Sequence, residues 1–261
     1  DAAEAAGCRD NVVVIGHGAE LVRELVGDRA RIALQAEQLG TGHAVLQAAD
    51  TLKDFTGTVM ILCGDTPLLE ADELEKFYAE HVKSGAAATV MSALMDDPFG
   101  YGRILRDANG DVAGIVEQKD ASEEQKQIKE INTGNYCVEA PLLFEVLRTL
   151  GNNNAQGEYY LTDVLAKLRA MGKKVGGVIT ADSEMIMGVN SRRQLAEAES
   201  VMRRRIAERH MDDGVTIMDP ASTFIEKSVK IAPDTVIYPN TWLQGATVIG
   251  EDCEIGPNVR L

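Results

Sequence analysis

Residues 32–44, Ile32-Ala33-Leu34-Gln35-Ala36-Glu37-Gln38-Leu39-Gly40-Thr41-Gly42-His43-Ala44, run from a short apolar stretch through a polar bend and a Gly-Thr-Gly turn into an amphipathic segment that continues to residue 52. That is one strand followed by one helix. The same step lies on either side of it. Residues 12–15 read as a buried strand and 19–26 as its helix, while 58–62 read as a strand closed by Gly64-Asp65-Thr66-Pro67, with a helix over 72–83. Three strand-then-helix steps predict an α/β domain with a mostly parallel sheet.

Downstream of residue 86 the order loosens. Strands are expected at 86–94, 103–105, 112–117 and 131–138, interrupted by a polar segment at 122–129, the sort of excursion that often forms the substrate-facing half of an α/β enzyme. Helices over 142–150 and 161–171, a strand at 175–179 and a long helix from 192 to about 210 complete the domain. In the last helix Leu195, Ala198, Met202 and Ile206 recur at helical spacing and read as packing.

From residue 225 the period changes. Ile225, Ile231, Ile237, Leu243, Ile249, Ile255 and Leu261 stand six apart, and the fourth residue after each is small or β-branched: Val229, Thr235, Thr241, Thr247, Cys253 and Val259. Hexapeptide repetition builds a β-helix whose coils bury their faces against one another, and this run makes about two triangular coils. The expected organisation is an α/β domain over 1–210, a linker over 211–224 and hexapeptide coils over 225–261. The opening Asp1-Ala2-Ala3-Glu4-Ala5-Ala6 reads as mid-helix and Leu261 as an uncovered coil end, so both ends read as cut.

The chain has 261 residues, 45% hydrophobic and 26% charged, enough to bury a sizeable core and too rich in aliphatics for disorder. Its formal charge of -15 opposes binding to nucleic acid or to an anionic membrane, because phosphate binding needs clustered Lys and Arg. Cys8, Cys63, Cys137 and Cys253 are dispersed and read as free thiols in a reducing cytosol. With no apolar run of membrane-spanning length and no signal-peptide pattern, a cytoplasmic location is expected. His17, His43, His81 and His210 are too scattered for a metal-protease or hydrolase motif.

Several positions suit chemistry. Glycines at 40 and 42 let the backbone approach a planar base or an anion, and the Gln35 amide matches the donor and acceptor edge of a uracil ring. The local pattern fits an ordinary Gly-rich turn with a Thr cap as well. Asp65, beyond the strand 58–62, falls at the carboxyl edge where open α/β sheets bind ligands. It can hold Mg²⁺ against nucleotide phosphates, or simply make an Asx turn before Pro67. Asn190, ending Met187-Gly188-Val189-Asn190, is either the cap of the long helix or a carbonyl ligand for the metal. Gly102, Glu117, Asn132 and Thr133 put polar groups beside glycine or at strand ends, where turn and surface roles are also adequate. Arg203-Arg204-Arg205 reads as a solvated helix face.

Taken in order, these motifs resemble the bacterial family of bifunctional N-acetylglucosamine-1-phosphate uridyltransferases and glucosamine-1-phosphate acetyltransferases. The resemblance runs through essentially the whole chain. Its most specific parts are Gln35-Ala36-Glu37-Gln38-Leu39-Gly40-Thr41-Gly42-His43, Gly64-Asp65-Thr66-Pro67-Leu68, Gly100-Tyr101-Gly102-Arg103-Ile104, Glu130-Ile131-Asn132-Thr133-Gly134, Gly157-Glu158-Tyr159-Tyr160-Leu161-Thr162-Asp163 and Gly188-Val189-Asn190, followed by the hexads. It implies a Rossmann-like nucleotidyltransferase domain, then the first coils of a left-handed parallel β-helix. The implied reaction transfers UMP from UTP to N-acetylglucosamine-1-phosphate, releasing pyrophosphate and making UDP-N-acetylglucosamine for cell-wall precursors.

Position by position, the resemblance implies that Gln35, Gly40 and Thr41 read the uracil, with Gly64 also in the substrate site. It implies that Asp65 and Asn190 hold a catalytic Mg²⁺, and that Gly102, Glu117, Asn132 and Thr133 bind the N-acetylglucosamine moiety. Cys63 stands where some members carry Tyr, which disturbs little. Intact members are expected to be homotrimers that also acetylate glucosamine-1-phosphate from acetyl-CoA, through residues in later coils. Members open with a strand and a Gly-rich loop that carries an Arg and is followed by a Lys. Nothing here matches that loop, so this chain alone is expected to show little or no uridyltransferase activity and no acetyl transfer. Two rivals remain: a pyrophosphorylase for another sugar, such as glucose-1-phosphate, and a non-catalytic nucleotide-binding trimerisation module. Glu117 and Asn132 favour the N-acetyl sugar.

Overall fold

The computed structural model describes residues 1–261, which form two compact units, one of 1–64 with 69–186 and one of 65–68 with 187–261. In the first unit, helix α1 (Ala2–Ala5) precedes strand β1 (Val12–Ile15), helix α2 (Ala19–Val26) and strand β2 (Arg31–Leu34). β1 and β2 pair in parallel, Val12 opposite Arg31 and Ile15 opposite Leu34. Helix α3 (Thr41–Leu46) ends earlier than its apolar pattern suggests, because residues 47–49 bond back to 44–46 and tighten the chain into turns. Strand β3 (Thr58–Ile61), helix α4 (Ala71–Ser84) and strand β4 (Ala88–Leu94) follow. Gly85, left-handed at φ 61, ends α4.

Strands β5 (Arg103–Arg106), β6 (Val112–Val116), β7 (Glu130–Glu139) and β8 (Val175–Ile179) complete a six-stranded sheet in the order β6-β5-β7-β4-β8, with β3 also paired to β7. The sheet is mixed rather than mostly parallel: β3, β4 and β5 all run antiparallel to β7, and only β4 and β8 are parallel. Connection length explains the difference. β5 turns into β6 through a loop closed by the Asp107 carboxylate on the N–H groups of Asn109 and Asp111, far short of the crossover that a parallel neighbour needs. Helices α5 (Ala140–Leu147) and α6 (Asp163–Ala170) pack on this sheet. Leu143, Leu147, Leu165 and Leu168 join Val90, Ile104 and Val138 in the main core, and full burial of each such side chain contributes roughly 1.5–3 kcal/mol.

β7 departs from a regular ladder. Val90 pairs with Tyr136 and Ser92 with Asn132, so three residues of β7 stand opposite Met91 alone. Such a bulge re-aims side chains that a regular ladder would alternate.

In the second unit, helix α7 (Arg192–Asp212) is capped by Ser191, whose hydroxyl accepts from the N–H of Gln194. Ala198, Ile206 and Ala207 are buried, whereas Leu195, expected as packing, is 55% exposed. Two-residue strands follow at Thr216–Ile217, Phe224–Ile225, Lys230–Ile231, Val236–Ile237, Trp242–Leu243, Val248–Ile249 and Glu254–Ile255. From Phe224 onward they pair in parallel eighteen residues apart, Phe224 with Trp242, Lys230 with Val248 and Val236 with Glu254, so the chain returns beside itself after three hexads; Thr216 pairs with Val236. Residues 216–217 and 224, placed in a linker by the sequence pattern, already belong to these ladders. Likewise α7 falls in this unit rather than with the α/β sheet, because Ile206 and Ala207 share a core with Ile217, Ile225, Ile237 and Leu243. No helix is long and apolar enough to cross a membrane.

Candidate active site

The expected residues fall into three separate groups. The first is the turn between β2 and α3. Gln35 Nε2 donates to the carbonyl of Gly40 at 3.1 Å and lies 3.1 Å from His43 Nδ1. A carbonyl only accepts, so the atom facing Gly40 is the nitrogen and Oε1 is the end left to offer. The glycines serve the protein's own packing. Gly40 has φ 109 and a Cβ there would stand 2.7 Å from the carbonyl oxygen of Tyr159, while one on Gly42 would stand 2.9 Å from the same atom. The Gly42 N–H donates to Tyr159 O and the Tyr159 N–H to Leu39 O. Thr41 Oγ1 accepts from the N–H of Leu161 at 3.0 Å. The turn is thus stitched to residues 159–161, and Thr41 holds the backbone there rather than capping its own helix.

The second group gathers at the ends of β5, β6 and β7. A Cβ on Gly102 would stand 3.3 Å from Glu117 Oε2 and 3.5 Å from Asn132 Cβ, so the bare Gly102 backbone leaves room between two polar side chains. The Gly102 carbonyl accepts from the Asn132 N–H at 2.8 Å. Thr162 Oγ1 donates to Glu117 Oε1 at 3.2 Å. A cavity of about 360 Å³ opens on Glu117 and is lined also by Asp120, Tyr160, Thr162 and Asp163. Burial pushes the Glu117 carboxyl above its ordinary range; the Thr162 hydroxyl opposes this, and the charges of Asp120, Asp163 and Glu158 add to it. Arg103, buried next to Gly102, braces the neighbouring loops by donating to the carbonyl of Tyr101 and to Gln118 Oε1, its Nε remaining without a partner.

Thr133 lies in the same strand but turns inward. Its hydroxyl donates to Met91 O at 2.8 Å and accepts from Asn135. Asn135, wholly buried and not singled out from sequence, accepts the Cys63 N–H on Oδ1 at 3.3 Å. Beside it Gly134 has φ 80, and a Cβ there would stand 2.4 Å from Cys63 Sγ. The bulge therefore anchors the turn that leads to Gly64, which is itself exposed with open space where a side chain would begin. Asn135 and Thr162 each act on a group far away in sequence, and no spacing rule marks such partners.

The third group lies in the second unit. A Cβ on Gly188 would stand 3.5 Å from Asp65 Oδ2 and 3.6 Å from Asn190 Nδ2, so the two side chains flank one small space over the Gly188 backbone. The Val189 N–H donates to Asp65 O at 2.8 Å and holds the strands of chain together. Capping does not occupy Asn190. Ser191 takes that role, and Gln194 Oε1 accepts the Asn190 backbone N–H at 2.9 Å. β3, which precedes Asp65, pairs only with β7 and antiparallel, not with a parallel neighbour as the sequence suggested. The Asp65 carboxylate is a hard donor that suits a divalent cation sharing its shell with water and phosphate, whereas Asn190 presents Nδ2 to this space and offers its oxygen only with the amide turned over.

Residues 2–201 match the nucleotidyl transferase family, a span that includes all three groups. Over 261 residues the chain is 55% identical to the bifunctional protein GlmU of Caldanaerobacter subterraneus subsp. tengcongensis, covering 100% of this chain and 57% of that protein. It is 55% identical over 256 residues to the bifunctional protein GlmU of Syntrophotalea carbinolica, covering 98% and 55%, and 50% identical over 258 residues to that of Clostridioides difficile, covering 99% and 56%. The chain thus spans little more than half the length of these curated relatives.

Proposed function

The chain belongs to the nucleotidyl transferase family, and on that footing we propose that it carries the uridyltransferase part of an enzyme that transfers UMP from UTP to N-acetylglucosamine-1-phosphate. The observation that carries this reading is the convergence of Gly102, Glu117 and Asn132 in a chain that is 55% identical to a GlmU protein. Glu117 supplies a carboxylate for sugar hydroxyls and Asn132 an amide N–H. Gln35 Oε1 accepts the uracil N3–H, Gly40 and Thr41 keep its loop closed, and Gly64 leaves the nucleotide room. Thr133 supports the sugar site through the bulge. A phosphate oxygen of the sugar attacks the α-phosphorus of UTP, the bond from that phosphorus to the bridging oxygen breaks, and pyrophosphate carries away the electron pair. The attacking oxygen is already anionic at neutral pH, so no side-chain nucleophile is needed and catalysis is positioning with charge stabilisation.

Asp65 fits a Mg²⁺ site, and Asn190 would join it with its amide turned so that Oδ1 replaces Nδ2, since Mg²⁺ takes one or two protein oxygens and completes its shell with water and phosphate. When bound, the ion neutralises charge developing on the phosphates. The transferase segment is taken as the matched residues 2–201. The short strands that follow α7 are taken as the first coils of a left-handed parallel β-helix, supported by ladders eighteen residues apart. The hexads and the word bifunctional in the relatives' names support a second activity, read as acetylation of glucosamine-1-phosphate from acetyl-CoA by a homotrimer; a cytoplasmic location fits the lack of a helix long and apolar enough to cross a membrane.

Pyrophosphate release from UTP, Mg²⁺ and N-acetylglucosamine-1-phosphate tests the proposal, using this chain and a version preceded by a relative's Gly-rich loop. Expected is turnover in the extended version, a preference over glucose-1-phosphate, and a loss of about 100-fold or more in Asp65→Ala, the scale seen when an electrostatic stabiliser is removed. Nucleotide binding without turnover by the folded extended protein would overturn the enzymatic reading in favour of a binding module.

A further inference from the structure

Asn132 is held by two donors on one atom. The backbone N–H of Gly134 and the hydroxyl of Tyr136 both reach Asn132 Oδ1, each at 3.0 Å. A backbone N–H can only donate, so the atom it meets is the amide oxygen, and the orientation follows from chemistry. Nδ2 then faces away from both donors and has no partner within the protein. The β7 bulge makes the arrangement possible. Gly134 at φ 80 turns its N–H back onto the side chain two residues earlier, and the four-residue step from 132 to 136 brings the phenol to the same oxygen. Tyr136 is 2% exposed and sits in the main core. Burial raises its hydroxyl well above the usual range, so the phenol keeps its proton and remains a donor.

On the other side of Gly102, Thr162 holds Glu117 Oε1 and Oε2 is the end that approaches Gly102, while Asn132 borders the same glycine through its Cβ. One amide of fixed orientation and one carboxylate oxygen of fixed orientation therefore flank a glycine. An amide free to flip would serve a hydroxyl, which both donates and accepts, as readily as a carbonyl. A locked N–H instead favours a group that only accepts.

We propose that Tyr136 is a positioning residue that locks the Asn132 amide with its NH₂ toward the sugar, and that this lock selects the carbonyl oxygen of an N-acetyl group over a hydroxyl at the same carbon. The proposal rests on the reading of Asn132 as a sugar-binding residue.

Calorimetric titration of the 261-residue chain with UDP-N-acetylglucosamine and with UDP-glucose tests it, alongside Tyr136→Phe and Asn132→Asp. The wild type is expected to prefer the N-acetyl ligand. Tyr136→Phe should lose roughly tenfold of that preference, the scale of one hydrogen bond, with UDP-glucose binding unchanged. Its Asn132 NH₂ resonances, assigned by their absence in Asn132→Asp, should shift or broaden without ligand. Asn132→Asp keeps an acceptor for both donors but has no NH₂, and should lose the same preference even if Tyr136→Phe proves unstable. An unchanged preference in either folded variant, or equal weakening toward both ligands, overturns the lock while leaving the proposed function standing. Failure of the wild type to prefer the N-acetyl ligand overturns the reading of the sugar site, and the lock with it.

Discussion

Glu117 shows how one side chain ties chemistry to stability. Burial raises its carboxyl above the ordinary range and three nearby carboxylates add to the shift, so the folded protein holds that proton more tightly than the unfolded chain does. Stability from this group is therefore fully present below the unfolded value of 4.5 and is lost as pH rises through the folded value. Once ionised, the buried carboxylate is a burden on the fold. Glu117→Gln should accordingly gain in melting temperature over the wild type as the pH rises, by a margin that shrinks as the pH falls toward the unfolded value of 4.5, while binding UDP-N-acetylglucosamine more weakly. Melting curves over that range check the sign. A margin that narrows as the pH rises would mean that the Thr162 hydrogen bond outweighs burial. Gln35, Glu117, Asn132 and Asp65 stood out in the sequence because they fall in or beside motifs that resemble a known family, and a motif is a local feature. Asn135 and Thr162 were not singled out, since each acts on a group that only the fold brings near.

At the scale of elements, strand positions follow from apolar runs, but pairing partners do not. The bulge in β7 depends on Met91 lying opposite three residues at once, and nothing in Ile131-Asn132-Thr133-Gly134-Asn135-Tyr136 taken alone announces it. The hexads are different, because each coil repeats one local solution. Asp234, Asn240, Asp252 and Asn258 adopt left-handed φ of 62, 59, 57 and 59, and two pairs of them stand eighteen residues apart. Asn and Asp tolerate this region and other side chains do not. Asn240→Ala should therefore destabilise the second unit by about 1 kcal/mol, whereas Asn240→Gly should be nearly neutral. Hydrogen exchange of the ladder amides at Ile237 and Leu243 reads the difference, and equal protection in the two variants would show that the corner carries no strain.

For the molecule as a whole, 41 acidic residues against 26 basic ones set a field that repels polyanions at every distance beyond direct contact. The chain should pass through a heparin column unretarded at low salt and bind an anion exchanger under the same conditions; retention on heparin would reveal a basic patch that net charge conceals. Charge, repeat period, helix and strand type and the family-bearing motifs were all determined by the sequence itself, since each depends on residue identity over a few neighbours. Tertiary structure alone decided the mixed sheet, the membership of α7 in the second unit, and the orientation of the Asn132 amide. Each of these depends on which surfaces meet across long sequence separations, where the outcome is set by burial and by the need of every buried donor for an acceptor.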